Sequence, residues 1–210
     1  MKNKKIQVPM VVVKRLPRYY RYLSDLINLG ITRISSADLS RKMGVTASQI
    51  RQDFNCFGDF GQQGYGYNVK HLHVKIGEIL GLDQNYSLII VGAGNLGHAL
   101  ANYTGIEKRG YRIIGIFDND LNKIGTRIKN ISVADINDLE SFCSQNQVDI
   151  AVLTLPKSEI QAVTKRLVSA GVKGFWNFSY IELDVPEDVA VENVHLSDSL
   201  MTLSYKITDK

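Results

Sequence analysis

The stretch SLIIVGAGNLG, residues 87–97, decides the fold. SLIIV is an unbroken apolar run, the pattern of a strand buried on both faces. GAGNLG follows without a gap, and the residues through Tyr103 then keep helical spacing. Strand, glycine loop and helix in that order form the setting in which G-x-G-x-x-G holds a dinucleotide. Gly92 allows the tight turn, Gly94 lets the backbone approach a pyrophosphate, and Gly97 lets the helix pack on the strand. Ala93, Asn95 and Leu96 complete the loop, and the helix N-terminus turns free N–H groups toward the diphosphate.

The next strand supplies a check. YRIIGIF ends at Asp118, 21 residues after Gly97. A carboxylate there accepts hydrogen bonds from the adenosine ribose hydroxyls and repels a 2′-phosphate, which favours NAD(H) over NADP(H). The other reading of Asp118 is a cap in the turn-like FDND. Alternation then continues with a helix pattern from Asp135 to Gln145, the strand VDIAVLTLP, a helix over 157–170 ended by Gly171, and the strand candidates VKGFWNF and DVAVENV. Thr154 and Pro156 fall at the carboxyl edge of the sheet, where they would neighbour a nicotinamide. Residues 84–195 therefore read as a Rossmann-type, doubly wound parallel sheet of the α/β class.

Upstream the chemistry changes. Residues 1–83 carry 13 Lys or Arg against 6 Asp or Glu, and the remainder carries 12 against 15. A basic module on a mildly acidic remainder points to nucleic acid, with a solvated basic face as the alternative. Pro17 suits the first turn of a helix that Gly30 stops. Ser35 or Ser36 can cap a short helix through Met43, Gly44 turns the chain, and Thr46 with Gln49 reads as a capping box for a second helix. Ile50, Phe54 and Phe57 share one face of that helix. Thr46 at its start and Ser48, Gln49, Arg51, Gln52 and Asn55 on its other faces carry groups suited to DNA. Two helices around a short glycine turn make a helix-turn-helix, or an ordinary helical hairpin.

GQQGYGY, residues 61–67, is a second glycine-rich stretch, but no buried strand precedes it. It reads as a hairpin with Gly61 to Gly64 as the turn and Tyr65 and Tyr67 alternating on the return strand. After a helix-turn-helix such a hairpin is a wing whose Gln62, Gln63 and Tyr65 would meet DNA. A purely structural hairpin is the competing reading. Val69, Leu72, Ile76, Ile79 and Leu80 then form an amphipathic helix that Gly81 ends.

Other classes are disfavoured. No apolar run approaches a membrane span, and Asn3 to Val13 is too short and polar for a signal peptide, so a cytoplasmic location is expected. Cys56 and Cys143 are the only cysteines, too few for a disulfide framework or a zinc site, and no metal is expected. No substrate domain and no paired catalytic groups accompany the sheet, so an enzyme is not expected. Residues 196–210 place Leu196, Leu200, Leu203 and Ile207 on one stripe, which must pack on its own domain or on a second subunit.

Taken together, RLPRYYRYL at 15–23, RISSADLS at 33–40, TASQIRQDFNCFGDFGQQGYGYNV at 46–69, VGAGNLGHALANY at 91–103 and FDND at 117–120 resemble Rex, the redox-sensing transcriptional repressors of bacteria. The resemblance spans essentially the whole chain. It implies a winged helix-turn-helix domain, a Rossmann domain and a C-terminal helix that is domain-swapped in a homodimer. It further implies binding to a double-stranded, inverted-repeat operator when NADH is scarce, release by NADH, and competition from NAD+. It places Arg21 and Tyr103 in the interdomain switch, with Tyr103 also at the cofactor site. Where the family usually has an Asp in that switch, this chain has His195. The alternatives are a small NAD-dependent oxidoreductase with an accessory N-terminal domain, and a sheet that binds another nucleotide such as a coenzyme A derivative.

Overall fold

The computed structural model describes residues 8–58, the backbone of 61–62, and residues 65–209. The chain divides into two compact units between Gln84 and Asn85.

The first unit runs α1 (Met10–Val13), α2 (Leu16–Asn28), β1 (Arg33–Ile34), α3 (Ser36–Met43), α4 (Ala47–Asn55), β2 (Gly61–Gln62), β3 (Gly66–Asn68) and α5 (Val69–Ile79). Pro17 sits in the first turn of α2, as its missing N–H allows. Three side-chain caps start the later helices. Ser35 accepts from Asp38 N at 3.0 Å, Thr46 from Gln49 N at 3.1 Å and Asn68 from His71 N at 2.9 Å. Gly44, at φ 63°, makes the left-handed turn between α3 and α4.

Two sequence expectations change in this unit, and one strand is added. The capping box at Thr46 is only half made, because the Gln49 side chain turns away from Thr46 and donates to Asp53 Oδ1 at 2.9 Å. Gly61 and Gln62 stand in a strand rather than in the turn, paired with Tyr67 and Gly66. β1, too short to show periodicity, pairs with β3 and completes a three-stranded sheet in the order β1-β3-β2.

The second unit begins with β4 (Ser87–Val91), α6 (Asn95–Asn102), α7 (Thr104–Glu107), β5 (Arg112–Asp118), β6 (Arg127–Ile128) and β7 (Ile131–Asp135). It continues with α8 (Leu139–Gln145), β8 (Ile150–Leu153), α9 (Lys157–Ser169), β9 (Gly174–Asn177), β10 (Ala190–Asn193) and α10 (Leu196–Thr208). The sheet order is β10-β9-β8-β4-β5-β7-β6, parallel throughout except for the β6–β7 pair. From β4 the chain builds outward through β5 and β7, then returns to the other side for β8, β9 and β10. That reversal opens a crevice at the carboxyl ends of β4 and β8, the switch point where such sheets bind ligands. The strand-helix alternation explains the burial on both faces. Ile89, Val91, Ala151 and Leu153 point into one core with α9, while Leu88, Ile90 and Val152 point into the other with Ala101 and Ile106.

The expected helix from Asp135 begins later. Asp135 ends β7 and caps a short 3₁₀ turn, Ile136–Asp138, before α8. β6 and β7 carry no clear strand pattern in the sequence, because β6 has two residues and ISVAD of β7 mixes polar and apolar residues that are only partly covered. Cys143 is half-buried against one core, and Cys56 is also half-buried. α10 has no buried residue, and Leu196, Leu200, Leu203 and Ile207 are 50–67% exposed. Of the two fates expected for that stripe, packing into its own unit is not the one observed.

The first unit is pinned by a buried charge that the sequence did not reveal. Asp53 is fully buried on α4. Arg15 donates to both of its oxygens, at 2.7 and 2.6 Å, Tyr19 donates at 2.8 Å and Gln49 at 2.9 Å. Burial pushes the Asp53 carboxyl up, but the hydrogen bonds from Arg15, Gln49 and Tyr19 outweigh it and hold it below the ordinary value. The start of α2 is thereby tied to α4. Asp53→Ala should lower the unfolding free energy of this unit by about 3 kcal/mol, since it strands a partly buried guanidinium and a phenol. The folded pKa is depressed, so this stabilisation is present above the unfolded carboxyl value and lost as pH falls through the folded one. Hydrogen exchange of α2 and α4 amides at neutral pH checks the loss. The gap between variant and wild type should close toward strongly acidic pH.

Candidate dinucleotide site and DNA-binding face

At the crevice, three glycines serve different purposes. Gly92 has φ 104°, and a Cβ there would lie 2.7 Å from the carbonyl oxygen and the hydroxyl of Thr154. A Cβ on Gly97 would lie 1.8 Å from the Gly92 carbonyl oxygen, so only glycine lets α6 sit this close to β4. Gly94 is different: a Cβ there would meet nothing within 4 Å. Packing within the chain gives no reason for glycine at 94, whereas the approach of a ligand phosphate does. Gly94 also opens α6, where no side chain caps the helix and no acidic residue stands in the first turn. The N–H groups of Asn95, Leu96 and Gly97 are thus left for an anion.

Thr154 closes the crevice from β8. Its N–H donates to Val91 O at 2.9 Å, and its hydroxyl donates to Gly92 O at 2.8 Å. Pro156 is exposed just beyond, at the start of α9. Tyr103 is more than half exposed where α6 bends into α7, with its ring lying over Gly105.

Asp118 lies at the end of β5 with its carboxylate almost fully buried. Oδ2 accepts from Ala93 N at 2.6 Å, which ties the glycine loop to the neighbouring strand. Oδ1 accepts from Asp120 N at 2.8 Å, so Asp118 does cap the turn of FDND. Burial raises the Asp118 pKa, but these two amides and the Lys123 ammonium outweigh it, and the group stays ionised below its ordinary value. Ala93 and Leu96 are half-buried and Asn95 is exposed. The donor set fits a dinucleotide: open N–H groups for the diphosphate and an anionic acceptor for a ribose diol.

The first unit carries the polar helix face. Thr46, Ser48, Arg51, Gln52 and Asn55 are exposed along α4, as their spacing requires. Gln49 is half-buried and spends its amide on Asp53, which leaves it less able to reach a base. The Gln62 backbone lies in β2, and Gln63 lies outside the described residues. Tyr65 is exposed just before β3. Sequence reasoning missed its support: Arg33 on β1 donates to Tyr65 O at 3.2 Å and lies 5.9 Å from the ring centroid. Arg33 stands opposite Asn68 in the sheet, a register that no local pattern shows. Arg21 is exposed on α2 in the first unit. In the second, His195 precedes α10 with its ring stacked on Tyr180 at 5.5 Å and its Nδ1 3.6 Å from Asp198 Oδ2. Among the described residues no group of three or more His, Cys, Asp or Glu could hold a metal, and no helix is long and apolar enough to cross a membrane.

A basic helix-turn-helix unit joined to a sheet built for a dinucleotide is the make-up of a ligand-responsive DNA-binding regulator. Comparison with known proteins agrees. Residues 7–55 match the family model described as putative DNA-binding protein N-terminus, and residues 83–181 match the one described as CoA binding domain. The redox-sensing transcriptional repressor Rex of Thermoanaerobacter pseudethanolicus is 55% identical over 208 residues, covering 99% of this chain and 93% of that protein. That of Clostridium perfringens strain SM101 is 52% identical over 203 residues, covering 97% and 96%. Among solved structures, RSP in complex with β-NAD+ and operator DNA matches with a TM-score of 0.91 and 54% identity, over 97% of this chain and 94% of that one. RSP in complex with β-NADH matches with a TM-score of 0.89 and 51% identity, over 96% and 95%. The chain belongs to the Rex family of redox-sensing transcriptional repressors, and it is a regulator rather than an enzyme.

The glycines give a paired prediction. Gly97→Ala should destabilise the second unit by about 1–3 kcal/mol, because backbone must shift to admit the methyl group. Gly94→Ala should melt within about 1 kcal/mol of wild type, because nothing in the chain opposes it. Thermal unfolding of the two variants side by side checks both.

Proposed function

We propose that this protein represses transcription by binding an inverted-repeat operator as a homodimer in the cytoplasm, and that NADH releases it. The observation that carries the reading is Asp118. It is an ionised, buried carboxylate hydrogen-bonded to the glycine loop, beside open N–H groups at the start of α6. In this reading Gly92 to Gly97 cradle the diphosphate, Asp118 accepts the adenosine ribose hydroxyls, and Thr154, Pro156 and Tyr103 border the nicotinamide. When bound, the dinucleotide supplies the redox signal itself, as its oxidised or reduced ring. The chain's residues only bind and orient it. A coenzyme A derivative fits less well, because its ribose phosphate would face the Asp118 carboxylate.

On the DNA side, Arg51, Gln52 and Asn55 take base edges, while Thr46, Ser48 and the hairpin residues Gln62, Gln63 and Tyr65 take the backbone or minor groove. The open apolar stripe of α10 belongs against a second copy of the chain, which gives the two-fold symmetry of an inverted repeat. Arg21, Tyr103 and His195 carry the coupling between ligand and DNA. Linkage fixes its form: NADH weakens operator binding by the same factor by which operator weakens NADH binding.

The test is fluorescence anisotropy of a labelled operator selected from random duplexes with the protein itself. NADH should lower operator affinity and NAD+ should not. Asp118→Ala should weaken NADH binding about tenfold or more while keeping operator binding, as expected for lost hydrogen bonds to a charged group. Operator affinity that is indifferent to NADH would sink the proposal.

A further inference from the structure

The carboxylate that reads the ribose is already shared. The Lys123 ammonium lies 3.2 Å from Asp118 Oδ2 and 3.6 Å from Asp120 Oδ2. An ionised carboxylate offers about four acceptor positions. On Asp118 two are taken by the Ala93 and Asp120 amides, which the fold fixes, and a third by Lys123. A ribose diol donates two hydrogen bonds. One acceptor position is open, and the second is the one Lys123 holds.

Lys123 has somewhere else to go. Its side chain is 38% exposed on a long flexible stem, and the Asp120 carboxylate is already beside it. We propose that Lys123 is a specificity residue of this site, and that it limits how strongly the site prefers a ribose 2′-hydroxyl over a 2′-phosphate. The inference rests on the reading of Asp118 as the ribose acceptor. With a 2′-hydroxyl, the diol takes the Asp118 position and the ammonium rests on Asp120. With a 2′-phosphate, the ammonium is the one cation paired with Asp118 among the described residues, and it offsets part of the carboxylates' repulsion. Asp118 and Asp120 thus push toward the unphosphorylated dinucleotide, and Lys123 pulls back.

The test is calorimetric titration of the full-length protein with NADH and, separately, NADPH, without DNA. The readout is the ratio of the two dissociation constants. Lys123→Met should raise the preference for NADH up to about fivefold, the scale of a partly exposed ion pair. Lys123→Arg keeps the charge and should stay within about twofold of wild type. A ratio unchanged or lowered in Lys123→Met, or shifted as far in Lys123→Arg, overturns the inference. Asp118→Ala separates the two levels. If it leaves NADH affinity intact, or wild type binds neither dinucleotide, the reading of the site itself is wrong. If it weakens NADH while Lys123→Met leaves the ratio alone, only the role of Lys123 falls.

Discussion

The second unit depends on one steric constraint, the contact of α6 with the end of β4. The Gly92 carbonyl lies where a side chain at position 97 would begin. Because that side chain is missing, the helix axis comes close to the strand, and its N-terminal N–H groups look into the crevice. Thr154 then bonds to Gly92 from the other side of the switch point, and Asp118 bonds to Ala93 from β5. Three adjacent strands therefore hold the glycine loop by three different groups. These contacts are made within the chain itself, so they hold the loop in place without help from a ligand.

The first unit solves a different problem. It presents a polar helix face and must still bury enough surface to stay folded. Ile50, Phe54 and Phe57 provide the apolar anchor, and Tyr19, Tyr67 and Phe57 pack edge-on around Phe54. Asp53 adds a directional anchor, since its three hydrogen bonds from Arg15 and Tyr19 fix the rotation of α4 about its axis. Rotation decides which side chains face outward, so a buried ion pair of little net stabilising value still fixes which residues are presented.

Much of this was legible because it is local. SLIIV followed by GAGNLG, the caps at Ser35 and Thr46, and the stops at Gly30, Gly44, Gly81 and Gly171 each express a rule about a few neighbouring residues. What escaped is pairing at long range. Asp53 stands 38 residues from Arg15, and nothing in its local pattern marks it as buried. β1 and β6 have two residues each and are strands only because a partner strand lies beside them. Lys123 stood in plain sight five residues after Asp118, but the motif names only the acid. Gln49 shows the same limit in reverse. It read as a cap and a base reader, yet a buried carboxylate one turn away claimed its amide.

The Ala93–Asp118 hydrogen bond has an evolutionary consequence. One carboxylate anchors the glycine loop and, in the proposed reading, selects the ligand, so the two traits cannot drift apart. A lineage that replaced Asp118 to accept a phosphorylated ribose would loosen its own loop in the same step. Variation in ligand preference is therefore channelled away from the acid and into residues such as Lys123 and Asp120, which can change without loosening the frame.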